Sequence, residues 1–123
     1  MMTEIEARKV GAARAARLDA VFAALADPTR RAIIDRLSRG EARVTEVAEP
    51  FSISLNAVSK HIRVLEASGV IERHRKGRDH ILSINTRSLD EVDGWIERTR
   101  RYWEGRLDAM ERVAHELRKH DSR

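Results

Sequence analysis

The chain has 123 residues, 41% of them apolar and 36% charged, and its 24 lysines and arginines against 20 aspartates and glutamates leave a formal net charge of +4. That length allows one compact domain, and charges of both signs predict a well-hydrated globular surface rather than a disordered tail. Cysteine is absent, which excludes disulfides, thiolate metal sites and reactive-thiol sensing; no apolar run approaches the roughly 18 residues that span a bilayer, and Met1 to Ala16 lacks the apolar core of a signal peptide, so a cytoplasmic protein without membrane contact is expected.

The first stretch is rich in alanine and arginine and places Leu18, Val21, Phe22 and Leu25 at helical spacing before Asp27-Pro28-Thr29 ends it. Asp27 is suited to cap a second helix over about 28–39, with proline in its first turn, Ile33, Ile34 and Leu37 on its apolar face and Gly40 beyond it. Thr45 is the expected cap of a short third helix with Val47 and Ala48 inward and Pro50 as its stop. Ser54 then caps a fourth segment to Ser68, where Leu55, Val58, Ile62 and Leu65 share a face and Gly69 follows as the terminator. A short helix, a tight turn and a second amphipathic helix have the spacing of a helix-turn-helix.

Val70 to His74, a turn at Arg75-Lys76-Gly77-Arg78, and Asp79 to Ile84 read as a β-hairpin. Ser88-Leu89-Asp90-Glu91 has the form of a capping box and opens a proline-free helix that reaches about His120. Along it Leu89, Val92, Ile96, Thr99, Trp103, Arg106, Met110, Val113 and Leu117 recur at alternating steps of four and three, a coiled-coil seam, while Trp95, Tyr102, Leu107 and Ala114 widen the stripe. About 30 helical residues reach roughly 45 Å, more than one small domain covers, so a second subunit is expected on this face. The alternative is an intramolecular helix broken near Gly94 or Gly105.

With Val58, Ile62 and Leu65 inward, the 3.6-residue period turns Asn56, Ser59, Lys60 and Arg63 outward. Asparagine and arginine make bidentate hydrogen bonds to adenine and guanine edges, serine and lysine reach bases or phosphates, and a helix fits the major groove. Any solvated helix face is polar in the same way, so the hairpin beside it matters. Arg73, Arg75, Lys76 and Arg78 stand there with no acid between them, and His74 adds to them. Such a cluster serves as a clamp on DNA phosphates, although exposed hairpins also carry lysine and arginine simply to protect their edges. Ser54, at the start of the reading helix, joins the candidates.

Two blocks carry a resemblance: Ala24-Leu25-Ala26-Asp27-Pro28-Thr29-Arg30-Arg31, and Ala57-Val58-Ser59-Lys60-His61-Ile62-Arg63-Val64-Leu65-Glu66 followed by Gly69-Val70-Ile71. Both resemble the ArsR family of transcriptional repressors, and the order of elements agrees from about Leu18 onward. The resemblance implies a mainly α fold with a small β-hairpin, a winged helix-turn-helix whose long C-terminal helix lies in a dimer interface. It implies that the helix bearing Asn56, Ser59, Lys60, His61 and Arg63 enters the major groove of double-stranded DNA, that the Arg73 to Arg78 wing lies on the flanking backbone, and that Thr45 binds phosphate. His61 sits at the edge of the apolar face, where a phosphate contact and a structural hydrogen bond are both open. The first and last helices would form the homodimer, through Leu18, Val21 and Phe22 on one and Leu89, Val92, Ile96, Trp103, Met110, Val113 and Leu117 on the other. On this reading residues 1–17 are an N-terminal extension, helical or partly ordered, and residues 18–123 form the DNA-binding domain with dimerisation helices at both ends.

The departures from that family are as informative. Its metal-sensing members use a Cys-x-Cys pair in the short third helix, where this chain reads Val44-Thr45-Glu46-Val47-Ala48. Other members bind ions through Asp, His and Glu on paired last helices; Asp108, Glu111 and His115 share one face here and His120 follows, but the spacing differs, so neither a metal nor a cofactor is expected. No glycine-rich phosphate loop, paired catalytic carboxylates or activated nucleophile is present, which sets an enzyme aside. The sequence names no effector.

Overall fold

The computed structural model describes residues 1–121. In chain order it comprises α1 (Glu4–Leu25), α2 (Pro28–Leu37), β1 (Ala42–Arg43), α3 (Val44–Ala48), α4 (Leu55–Ala67), β2 (Ile71–Lys76), β3 (Asp79–Ile84) and α5 (Thr86–Asp121). The contacts divide the chain into two units, residues 1–91 and residues 92 onward.

Local chemistry explains most helix ends in the first unit. Thr3 and Glu6 form a reciprocal capping box that starts α1. The helix then continues without interruption past residue 17, so no break in secondary structure sets the expected extension apart from residues 18–25. Asp27 accepts the backbone N–H of Arg30 at 2.9 Å with Pro28 as the first helical residue, so the acid satisfies one of the donors left open at the start of α2. Ser54 does the same for α4 through the N–H of Ala57 at 3.1 Å. Gly69, with φ of +81°, takes the left-handed conformation just beyond the other end of α4.

Thr45, expected as a cap, is instead inside α3. The cap position is Arg43, whose backbone N–H is taken by the Glu46 carboxylate at 3.2 Å, so the acid three residues on does the work assigned to the hydroxyl. The hairpin is also one strand short of the observed sheet, which is three-stranded and antiparallel in the order β1-β3-β2. Ala42 and Arg43 pair with Leu82 and Ile81 on the free edge of β3. On its other edge β3 pairs with β2 from Ile71↔Ile84 to Lys76↔Asp79, leaving only Gly77 and Arg78 as the turn. Gly77 has φ of +66°, a left-handed value suited to a two-residue hairpin turn.

The core of this unit is built from a few apolar residues of each element: Val21 and Ala24, Ile33 and Leu37, Val47, then Val58, Ile62 and Leu65 from α4, with Val70, Ile71 and Leu82 from the sheet region. Leu55, expected on the same inward face as Val58, is 56% exposed. It occupies the first turn of α4, where it borders an open depression beside α3 and is not enclosed by the core, so periodicity continues where the core does not. Only Ile71 of β2 is buried, and the rest of that strand projects as an exposed wing.

Thr86 begins α5, two residues before the expected Ser88 cap. Ser88 lies within the helix and its hydroxyl donates to the carbonyl of Gly69 at 2.7 Å, tying the helix start to the end of α4. Over its 36 residues α5 is continuous through Gly94 and Gly105, a length of about 54 Å. In the second unit Ile96, Trp103, Met110, Val113 and Leu117 are all exposed along it, as are Tyr102 and Leu107 beside them.

Candidate nucleic-acid interface

α4 positions the outer face. Its capped N-terminus and the buried trio Val58, Ile62 and Leu65 fix the rotation of the helix, which turns Asn56, Lys60 and Arg63 into solvent and leaves Ser59 half-exposed. None of these four side chains has a hydrogen-bonding or ionic partner among the described residues, so their donors and acceptors are available to a ligand. Ser54 is exposed with its hydroxyl engaged as the helix cap, and Thr45 is exposed on α3.

His61 has a different setting. It is half-buried, with Nδ1 lying 3.4 Å from Arg30 Nη1 and 3.7 Å from Asp27 Oδ2. Arg30 also donates to the carbonyls of Ala24 and Ala23 at 2.7 and 3.0 Å, closing the open end of α1. His61 therefore joins a polar corner linking α1, α2 and α4, the structural alternative for this residue. The backbone N–H of Arg30 holds the Asp27 carboxyl below the usual carboxylate range, helped by the charges of His61 and Arg30 against an opposing effect of partial burial.

The wing cations also divide. Two N–H groups of Arg73 converge on one oxygen of Glu66, at 2.7 and 3.2 Å, and the pair is only about 30% exposed, with side-chain values of 31% and 29%. This ion pair fastens β2 to the last turn of α4. Lys76 and His74 both approach Glu41, at 4.0 and 3.6 Å. Arg75 and Arg78 are exposed and have no ionic partner among the described residues, so they carry the unneutralised charge of the wing. Glu66, Glu41 and the Asp27–Arg30 pair escaped the sequence reading. An acid at helical spacing toward the wing was the signal available for Glu66.

Of the dimer candidates, Leu18 and Leu89 are half-buried, whereas Phe22, Ile96, Trp103, Met110, Val113 and Leu117 are exposed. Val21 is 1% exposed and belongs to the core, and Val92 is buried too, so neither offers surface to a second chain. Asp108, Glu111 and His115 are exposed on α5, and no grouping of three His, Asp or Glu residues able to hold a metal occurs among the described residues.

Comparison with known proteins places this geometry. A helix-turn-helix domain family matches residues 25–74, the stretch from the end of α1 into the wing. The transcriptional repressor SdpR of Bacillus subtilis is 41% identical over 76 residues, which cover 62% of this chain and 84% of that protein. The crystal structure of an ArsR family transcriptional regulator superposes with a TM-score of 0.68 at 44% identity, covering 72% of this chain and 91% of that one. An ArsR-like transcriptional regulator from Rhodococcus sp. RHA1 gives a TM-score of 0.72 at 32% identity over 80% of this chain and 93% of its own.

Proposed function

Because the chain belongs to the ArsR family of transcriptional regulators, we propose that it is a repressor that binds an inverted-repeat operator in double-stranded DNA as a homodimer, in the cytoplasm and without a metal-sensing site. The observation that carries this reading is the unpartnered polar face of α4 set beside the open cations of the wing. Asn56, Ser59, Lys60 and Arg63 offer the donors and acceptors that distinguish base pairs in the major groove, and Arg75 and Arg78 offer charge to the phosphates alongside. Thr45 and Lys76 add phosphate contacts at the edges of that footprint. Arg73 and His61 act at one remove, by holding the wing and the reading helix in place.

The exposed apolar stripe of α5 supplies the second half of the proposal. Trp103, Met110, Val113 and Leu117 repeat at the spacing of a helix–helix seam, and a stripe this long is stable in water only when covered. A second copy covers it symmetrically and presents two reading helices to two half-sites, one helical turn or a multiple of it apart. Bound there, the dimer blocks the promoter. Membership of a regulator family also sets the enzyme reading aside.

Selection of random duplex DNA by the purified protein, with and without chelator and added divalent metal, tests the proposal. The expected result is enrichment of an inverted repeat that is indifferent to metal. Absence of any enriched sequence would overturn DNA recognition; an operator released by stoichiometric metal would overturn the absence of metal sensing.

A further inference from the structure

The reading helix holds an apolar side chain in its first turn that the core leaves exposed. Val58, Ile62 and Leu65 of α4 are fully buried, yet Leu55 in its first turn is 56% exposed. At about 100° per residue, Leu55 lies about 40° around the helix from Ser59, one turn away, and so borders the face formed by Asn56, Ser59 and Arg63. Val64, also exposed, lies about 180° from Leu55 by the same period and points away from that face. On its other flank Leu55 borders an open depression with Thr45, Glu46, Ala48 and Glu49, while Val47 of α3 is turned fully into the core. Ala48 is the one apolar neighbour lining that depression, and Leu55 stays exposed beside it.

The N-terminal residues of a recognition helix are those that approach base edges in the major groove. Only thymine places a methyl group there, and apolar side chains recognise it by contact. We propose that Leu55 is a specificity-determining residue of this protein, packing its isopropyl group on the 5-methyl of one thymine in each half-site. The proposal rests on the DNA-binding reading given above and adds a base identity to it. Asn56 and Ser59 supply directional hydrogen bonds, and Leu55 supplies the one contact a hydrogen bond cannot make.

The test uses the full-length protein and the operator it selects. Each thymine is replaced in turn by deoxyuridine, which removes the methyl group and leaves the hydrogen-bonding edge intact, and affinity is read by fluorescence anisotropy. One thymine per half-site should respond, with a loss of about fourfold, the effect of uncovering one methyl-sized group. Leu55→Ala should bind the thymine and uracil operators equally, whereas Leu55→Met, which keeps an apolar side chain, should retain the preference. Thermal melting of each variant establishes that the fold is unchanged. An operator with no methyl-sensitive thymine, or an undiminished preference in Leu55→Ala, would overturn the assignment of Leu55 alone. Failure to select any duplex would overturn the DNA-binding reading and this assignment with it.

Discussion

Arg75 and Arg73 are two residues apart on the same wing strand, yet the ion pairs assign them opposite roles in salt-dependent binding. Arg75 has no ionic partner among the described residues, whereas Arg73 is held by two N–H donors on Glu66, the shorter at 2.7 Å. Each phosphate neutralised on B-DNA contributes about −0.9 to the slope of log K against log salt, so Arg75→Gln in both subunits should flatten the slope by about 1.8. Between 50 and 200 mM salt, a fourfold range, that change makes the variant's loss of affinity roughly 12-fold smaller than that of the intact protein. The paired substitution Arg73→Gln with Glu66→Gln removes a cation without changing net charge and should leave the slope unaltered. Fluorescence anisotropy on one operator duplex across that salt range measures both. A slope unchanged by Arg75→Gln, or one lowered by the paired substitution as much as by Arg75→Gln, would refute this division of the wing.

The packing and the site set three further outcomes. Met110→Glu places a carboxylate on the exposed α5 stripe; light scattering should show the dimer shifted to monomer, with operator affinity lost in parallel and the helical content preserved. Ile62→Ala, at a fully buried position on α4, should cost about 2–5 kcal/mol in urea unfolding by leaving a cavity beneath the reading helix. The Asp27 carboxyl is held below its ordinary value of 3.8 in the fold, so its ionised form stabilises the native state above the unfolded value, and that contribution is lost as pH falls through the folded one. Asp27→Asn, which keeps a capping oxygen, should therefore lose less thermal stability than the parent between neutral pH and pH values below the ordinary carboxylate range.

Elements with their own local chemistry were legible in the sequence. Asp27-Pro28 before α2, Ser54 before α4 and Gly69 after it act within a few residues of themselves, and the structure uses each as a terminus. β1 was not legible, because two residues carry no periodicity and the strand exists only through pairing with β3, about forty positions later. Two caps were misassigned for a related reason. Glu46 reaches the cap position of α3 ahead of any role for Thr45, and Ser88 spends its hydroxyl on Gly69 after α5 has already begun. The outer face of α4 was readable residue by residue, since period alone decides which side chains point away from Val58 and Ile62. Which cations were already engaged was not, because Glu66 finds Arg73, and Asp27 and Arg30 find His61, only through tertiary packing.

In the proposed complex, two copies of this chain present two α4 helices to one operator. Chemical footprinting of the protein on its selected duplex, with the number of bound chains determined by light scattering of the complex, tests this arrangement. The predicted result is two chains per duplex and two protected major-groove patches related by two-fold symmetry, with centres about 10 base pairs or a multiple of that apart, each flanked by backbone protection where a wing lies. A single asymmetric patch made by one chain would contradict it.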